Sequence, residues 1–189
     1  MTAATVVRCL IVISAMMALC PPAAAADASA SAFTKLFIDA CVPNIGRPDG
    51  VRAWAAAQGL VAITEPAALD LFVGGGDGSA WDVPSAAGRL VLSVRGRTQG
   101  CSVWARTAET TEVRADFVQL MEGVRRPGLT VSESADSHKP TPFGDYNVLS
   151  YEVTAPGARQ GFVFILQTVE RPGGAFQAWA EVAVGRNPA

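Results

Sequence analysis

The chain has a single histidine, His138, among 189 residues, and that scarcity removes several chemistries at once. A zinc centre needs three or four His and Cys ligands, more than one histidine and a bridged cysteine pair can supply. A serine hydrolase needs its base beside a serine on a strained turn, yet no G-x-S-x-G occurs. His138 sits in the polar stretch Ser134–Lys139 and reads as a solvated loop side chain. Lysines and arginines form no block and the net charge is −2, which argues against nucleic acid or anionic membrane surfaces as partners. The glycine run Gly74-Gly75-Gly76-Asp77-Gly78 lacks a following Gly-Lys-Ser/Thr, the G-x-G-x-x-G spacing and the alternating carboxylates of a calcium loop. It reads as a flexible connector, and no cofactor is indicated. Beyond the first 26 residues no apolar run is long enough to span a bilayer. No internal repeat or low-complexity segment occurs either.

What is present begins with an apolar leader. Arg8 is the only charged residue before Asp27. Cys9–Cys20 is almost unbroken apolar sequence, Pro21-Pro22 closes it, and Ala23–Ala26 supplies small residues for a peptidase. Residues 1–26 are therefore expected to be a signal peptide, and 27–189 a single domain, periplasmic or secreted. A lipoprotein cleavage site at Cys20 fits less well, because Leu19 stands where a small residue belongs. Cleavage after Ala26 leaves 14 basic against 17 acidic residues, a net charge of −3.

Two cysteines then remain, Cys41 and Cys101, 60 positions apart. In an oxidising compartment an even pair suggests a disulfide, and the chain-entropy model assigns such a loop about 4 kcal/mol at most. The rival reading is two free thiols. Neither has a strongly basic neighbourhood that would make it reactive.

Phe33, Leu36, Phe37, Ala40 and Cys41 recur at helical spacing, so a helix is expected over 33–41, stopped by Pro43. Asp27–Ala30 before it reads as a frayed terminus. Pro48-Asp49 opens a second helix with Val51, Trp54, Ala55 and Gln58 on one face and Gly59 after its end. Thr64-Glu65-Pro66 reads as the N-cap of a short helix through Phe72. Arg89–Arg95 alternates and predicts a strand; Gly96–Gly100 turns, and Cys101–Arg106 returns with Cys101, Val103 and Ala105 facing the core. Thr110 or Thr111 should cap a long helix striped by Val113, Phe117, Leu120, Met121 and Val124. Leu129–Glu133 is a further strand candidate, and the polar stretch 132–142 reads as a loop or hairpin arm. Three strands follow over 146–154, 161–169 and 175–184, separated by Pro156-Gly157 and Pro172-Gly173 turns. Phe162–Leu166, apolar on both faces, is expected to be the central strand. The fold class expected is α+β, with N-terminal helices followed by an antiparallel sheet that one helix interrupts.

Three sets of side chains are candidates for function. Trp104 points away from Cys101 on its strand, and with Trp179 and Tyr151 it could form a binding surface; the alternative is a second core layer. Arg95, Arg97, Arg125 and Arg126 could form an anion site, although arginines at helix ends and turns are more often simply solvated. Seventeen acidic residues leave paired-carboxylate chemistry open. Glu109 and Glu112, at a helix start, read rather as complements to its dipole.

The helix Phe33–Cys41 with Val42, the stretch Phe72–Trp81, Gly88-Arg89-Leu90 and Gly100-Cys101-Ser102-Val103 resemble a proteobacterial family of small exported proteins and lipoproteins, catalogued under a neisserial locus name and of unknown function. The likeness covers most of residues 33–184. It implies an envelope location and carries no catalytic residues. The function expected is thus a non-enzymatic exported domain that binds an envelope protein or a small ligand. The alternatives are an inhibitor or immunity protein against a secreted hydrolase, or a hydrolase that uses carboxylates or His138.

Overall fold

The computed structural model describes residues 23–86, 88–96, 98–142, 144–172 and 176–186. Most of the expected signal peptide, with Cys9 and Cys20, lies outside the described residues, as do Arg97 and the glycine of the Pro172-Gly173 turn. Helix α1 spans Ala23–Leu36 and continues through a π-helical turn, Phe37–Cys41, and a 3-10 turn, Val42–Asn44. Ser29 and Ala30 are buried in α1, so the second half of the segment expected to fray is instead packed. A cut after Ala26 would trim only the first turn of α1. The predicted stripe is buried throughout: Phe33, Leu36, Phe37, Ala40 and Cys41 all lie in the core. In the π turn the Val42 N–H bonds to the Phe37 carbonyl, a five-residue step that leaves Cys41 against the sheet.

Helix α2 (Pro48–Ala57) buries Val51 and Ala55. Strand β1 (Val61–Ala62), helix α3 (Pro66–Val73) and strands β2 (Gly78–Val83), β3 (Leu90–Arg95) and β4 (Gly100–Ala105) follow. Helix α4 (Thr110–Val124) leads to β5 (Thr130–Thr141), β6 (Gly144–Thr154), β7 (Gln160–Val169) and β8 (Ala178–Arg186). Both later helices are capped by glutamate rather than by the neighbouring threonines. Glu65 accepts from the backbone N–H groups of Ala67 at 3.1 Å and Ala68 at 2.6 Å, and Glu109 accepts from Thr111 N at 3.0 Å.

The strands form one antiparallel sheet of eight, in the order β1-β2-β3-β4-β8-β7-β6-β5. Two meanders meet where β4 pairs with β8, and α4 carries the chain between them. The α+β class is as expected, but the helices are not gathered at the N-terminus. Helix α3 follows β1 and α4 follows β4, so the sheet is interrupted twice. β7 lies between β6 and β8, the middle of the three C-terminal strands, while the centre of the whole sheet is β4 and β8. The apolar residues on both sides of β7 reflect a different arrangement. Phe164 and Leu166 enter the core, while Val163 and Ile165 lie half-buried on the opposite face. The polar stretch 132–142 is the outer arm of a hairpin: β5 runs through it as an edge strand with Pro140 near its end and a bulge between Glu133 and Ala135. The Pro156-Gly157 turn is closed by the Ala158 N–H to the Ala155 carbonyl at 3.0 Å.

One face of the sheet carries Leu92, Val94, Val103, Ala180, Val182, Phe164 and Leu166, and α1, α2 and α4 cover it. Phe37 links these layers, 6.4 Å from both the Phe117 ring of α4 and the Phe164 ring of β7. Cys41 and Cys101 meet beneath them in disulfide geometry, with Cα atoms 5.4 Å apart. No helix among the described residues is long and apolar enough to cross a membrane.

Candidate functional site

The other sheet face is only partly covered. Strand pairing places Val91 opposite Trp104 and Trp104 opposite Trp179, so these side chains share that face. The two indoles stack with centroids 5.1 Å apart. Phe72 of α3 and Phe176 meet Trp104 edge-on at 5.5 and 5.2 Å. Ser93, fully buried on β3, fixes the arrangement. Its Oγ accepts from Trp104 Nε1 at 2.9 Å and donates to the Phe72 carbonyl at 3.3 Å. One hydroxyl thus orients the central indole and ties down the end of α3.

Local sequence explains why α3 lies where it does. Pro66 occupies its first turn, the Glu65 carboxylate satisfies two N–H groups, and Gly74 takes the left-handed conformation (φ 69°) that ends it. Gly78 then permits close approach of the helix end to the sheet. A Cβ there would lie 2.6 Å from Val73 and 2.8 Å from the Val94 carbonyl oxygen. The glycine run is a connector, as expected, and its last residue already belongs to β2.

Between α3 and strands β2–β4 lies a hollow of about 510 Å³. Phe72, Val91 and Trp104 form its floor with Ile63, and Leu71 stands exposed at its edge. Its charged residues are Glu65, Asp82, Arg89 and Arg106. Glu65 is engaged by the helix N-terminus. Arg89 grips Asp82 in a two-pronged pair, with N–O distances of 3.0 and 3.2 Å. Arg106 is exposed, and among the described residues its guanidinium has no ion-pair or hydrogen-bond partner.

Further along the same face, Glu181 is buried and forms an ion pair with Arg95, whose guanidinium lies 6.0 Å from the Trp179 ring centre. Burial pushes the Glu181 carboxyl above the ordinary carboxylate value, and it outweighs the opposing effects of Arg95 and a hydrogen bond from Ser102. Arg95 Nε and Trp179 Nε1 are buried without a hydrogen-bond partner among the described residues.

The expected surface of Trp104, Trp179 and Tyr151 is therefore split. Tyr151 pairs with Phe164 on the helix-covered face, where its ring lies 6.2 Å from that of Phe117. Its hydroxyl donates to Glu133 at 3.4 Å, and burial, ahead of that carboxylate, raises its pKa. The arginines expected to form an anion site have separate partners. Arg95 is held by Glu181; Arg125 is held by Glu122 and the Val131 carbonyl. His138 is exposed on β5, opposite Asn147 and without a serine partner among the described residues. Arg106 stands two positions after Trp104, just past the end of β4, and that parity is the one signal it carries in the sequence. Phe72 and Asp82 come from other elements and carry no such signal.

Compared with models of known protein families and with curated protein sequences, the chain matches none.

Proposed function

We propose that this chain is an exported, non-enzymatic domain of the cell envelope that binds a ligand or partner on its open sheet face, at the hollow beneath α3. The observation that carries this reading is the hollow itself, floored by a Trp104 indole that neighbouring groups hold in one orientation. Binding sites have this character: an apolar, largely preformed concavity with a few polar groups at its margin. Both carboxylates of the hollow are occupied, Glu65 by backbone N–H groups and Asp82 by Arg89, which favours recognition over proton transfer. Export is supported by the apolar leader, by the cysteines standing in disulfide geometry and by the family resemblance noted above.

The test screens envelope fractions by thermal shift against the natural protein and Leu71→Arg, a change at an exposed position that obstructs the hollow. A fraction that raises the Tm of the natural protein by several degrees and leaves Leu71→Arg unmoved is the expected result. Equal shifts in both proteins would overturn the site. Export is checked separately by mass spectrometry of the protein's N-terminus: Asp27 is expected, and Met1 or Thr2 refutes it.

A further inference from the structure

We infer that the hollow takes a small amphipathic anion, an apolar or aromatic body carrying one acidic head, with Arg106 as the group that receives the head. This deepens the reading of the hollow as a binding site and rests on it. Of the four charged side chains around the hollow, three are committed: Glu65 to the N-terminus of α3, and Asp82 and Arg89 to each other. Arg106 alone presents a guanidinium with no partner among the described residues. A neutral ligand leaves that donor fork to water, and a cation is repelled by it. A carboxylate or sulfonate is matched to it in charge and in planar geometry.

The rest of the site selects the body. The floor offers the edge of the Phe72 and Trp104 cluster together with Val91 and Ile63. Arg106 lies one residue past the end of β4 and two from Trp104, and its N–H bonds to the Arg89 carbonyl at 3.3 Å, so the end of β4 sets both head and body positions. A volume of about 510 Å³ lies in the range of pockets that enclose a small organic molecule, and is too small for a folded partner. The Arg89–Asp82 pair at the margin leaves no second free cation, so one anionic group is favoured over two.

Two fluorescent probes of nearly the same shape separate head from body: anilinonaphthalene sulfonate, which is anionic, and N-phenylnaphthylamine, which is neutral. Binding of each is titrated to the natural protein, Arg106→Gln and Leu71→Arg at low ionic strength. The natural protein is expected to bind the sulfonate about tenfold more tightly, the scale of one partly exposed charge-assisted contact. Arg106→Gln should bring the two affinities together, and Leu71→Arg, whose added charge itself attracts the sulfonate, is read on the neutral probe, whose binding it should weaken. If the natural protein binds both probes equally, or if Arg106→Gln keeps the tenfold preference, the anion assignment is wrong while the hollow stands. If neither probe binds, or if Leu71→Arg leaves the neutral probe's affinity unchanged, the hollow is not a ligand site and both readings fail.

Discussion

Replacing Ser93 by alanine removes one oxygen and strands two groups. Trp104 Nε1 loses its acceptor at 2.9 Å, and the Phe72 carbonyl loses a donor at 3.3 Å. The indole has little room to turn toward water, because Trp179 stacks on it at 5.1 Å and Phe72 and Phe176 lie against its edges. An orphaned buried donor costs about 1–3 kcal/mol, and the longer bond to Phe72 adds at most about 1 kcal/mol more. The expected loss is therefore about 2–3 kcal/mol, a substantial part of the stability of an ordinary domain. Urea denaturation followed by far-ultraviolet circular dichroism reads it as a lower midpoint at unchanged slope. Trp104→Phe deletes the stranded donor, so in that background Ser93→Ala should cost about 1 kcal/mol or less. The coupling between the two changes isolates the Ser93–Trp104 bond. Equal costs in both backgrounds would refute the claim that Ser93 acts through the indole.

Two further outcomes follow from other contacts. Reducing the Cys41–Cys101 pair should lower the stability of the oxidised protein by up to about 4 kcal/mol for its loop of 60, and an unchanged urea midpoint in reductant, or full thiol labelling without it, would oppose this. The Glu181 carboxyl has a raised pKa in the fold, so the unfolded chain releases that proton first as pH rises. Its contribution to stability therefore falls from the ordinary carboxylate pKa up through the raised value. Glu181→Gln should flatten that part of the stability–pH curve, and a curve of unchanged slope would contradict the assignment.

The elements legible in the sequence are those whose faces differ in chemistry. The stripe from Phe33 to Cys41 and the face of α2 each bury one side, and periodicity reports that directly; β4 is buried on both faces, and its alternation shows in residue type instead. β5 is legible only in part, as a short strand candidate at Leu129–Glu133 with a loop or hairpin arm beyond it, because only Val131 of its 12 residues is buried and a strand along a hairpin edge shows no alternation. The placement of Tyr151 failed for another reason. Which face a residue takes relative to a distant strand depends on pairing register, and one step of register reverses it. Trp104 and Trp179 meet only because β4 pairs with β8 across 75 positions of sequence, a pairing that neither strand encodes alone. For the hollow, the strand parity of Trp104 and Arg106 was readable, but the approach of α3 that creates it was not.

The two edges of the sheet bear on how molecules of this protein meet one another. At one edge β1 is two residues long, too short to template another chain. At the other, β5 carries a bulge after Glu133, the charge of Lys139 and a proline at 140 that lacks an N–H. Lateral strand addition is discouraged on both sides, so a crowded population of this protein resists growing into continuous sheets. Sheet growth is discouraged at the rims while the Trp104 face stays open, so recognition on that face does not compete with strand addition at the edges.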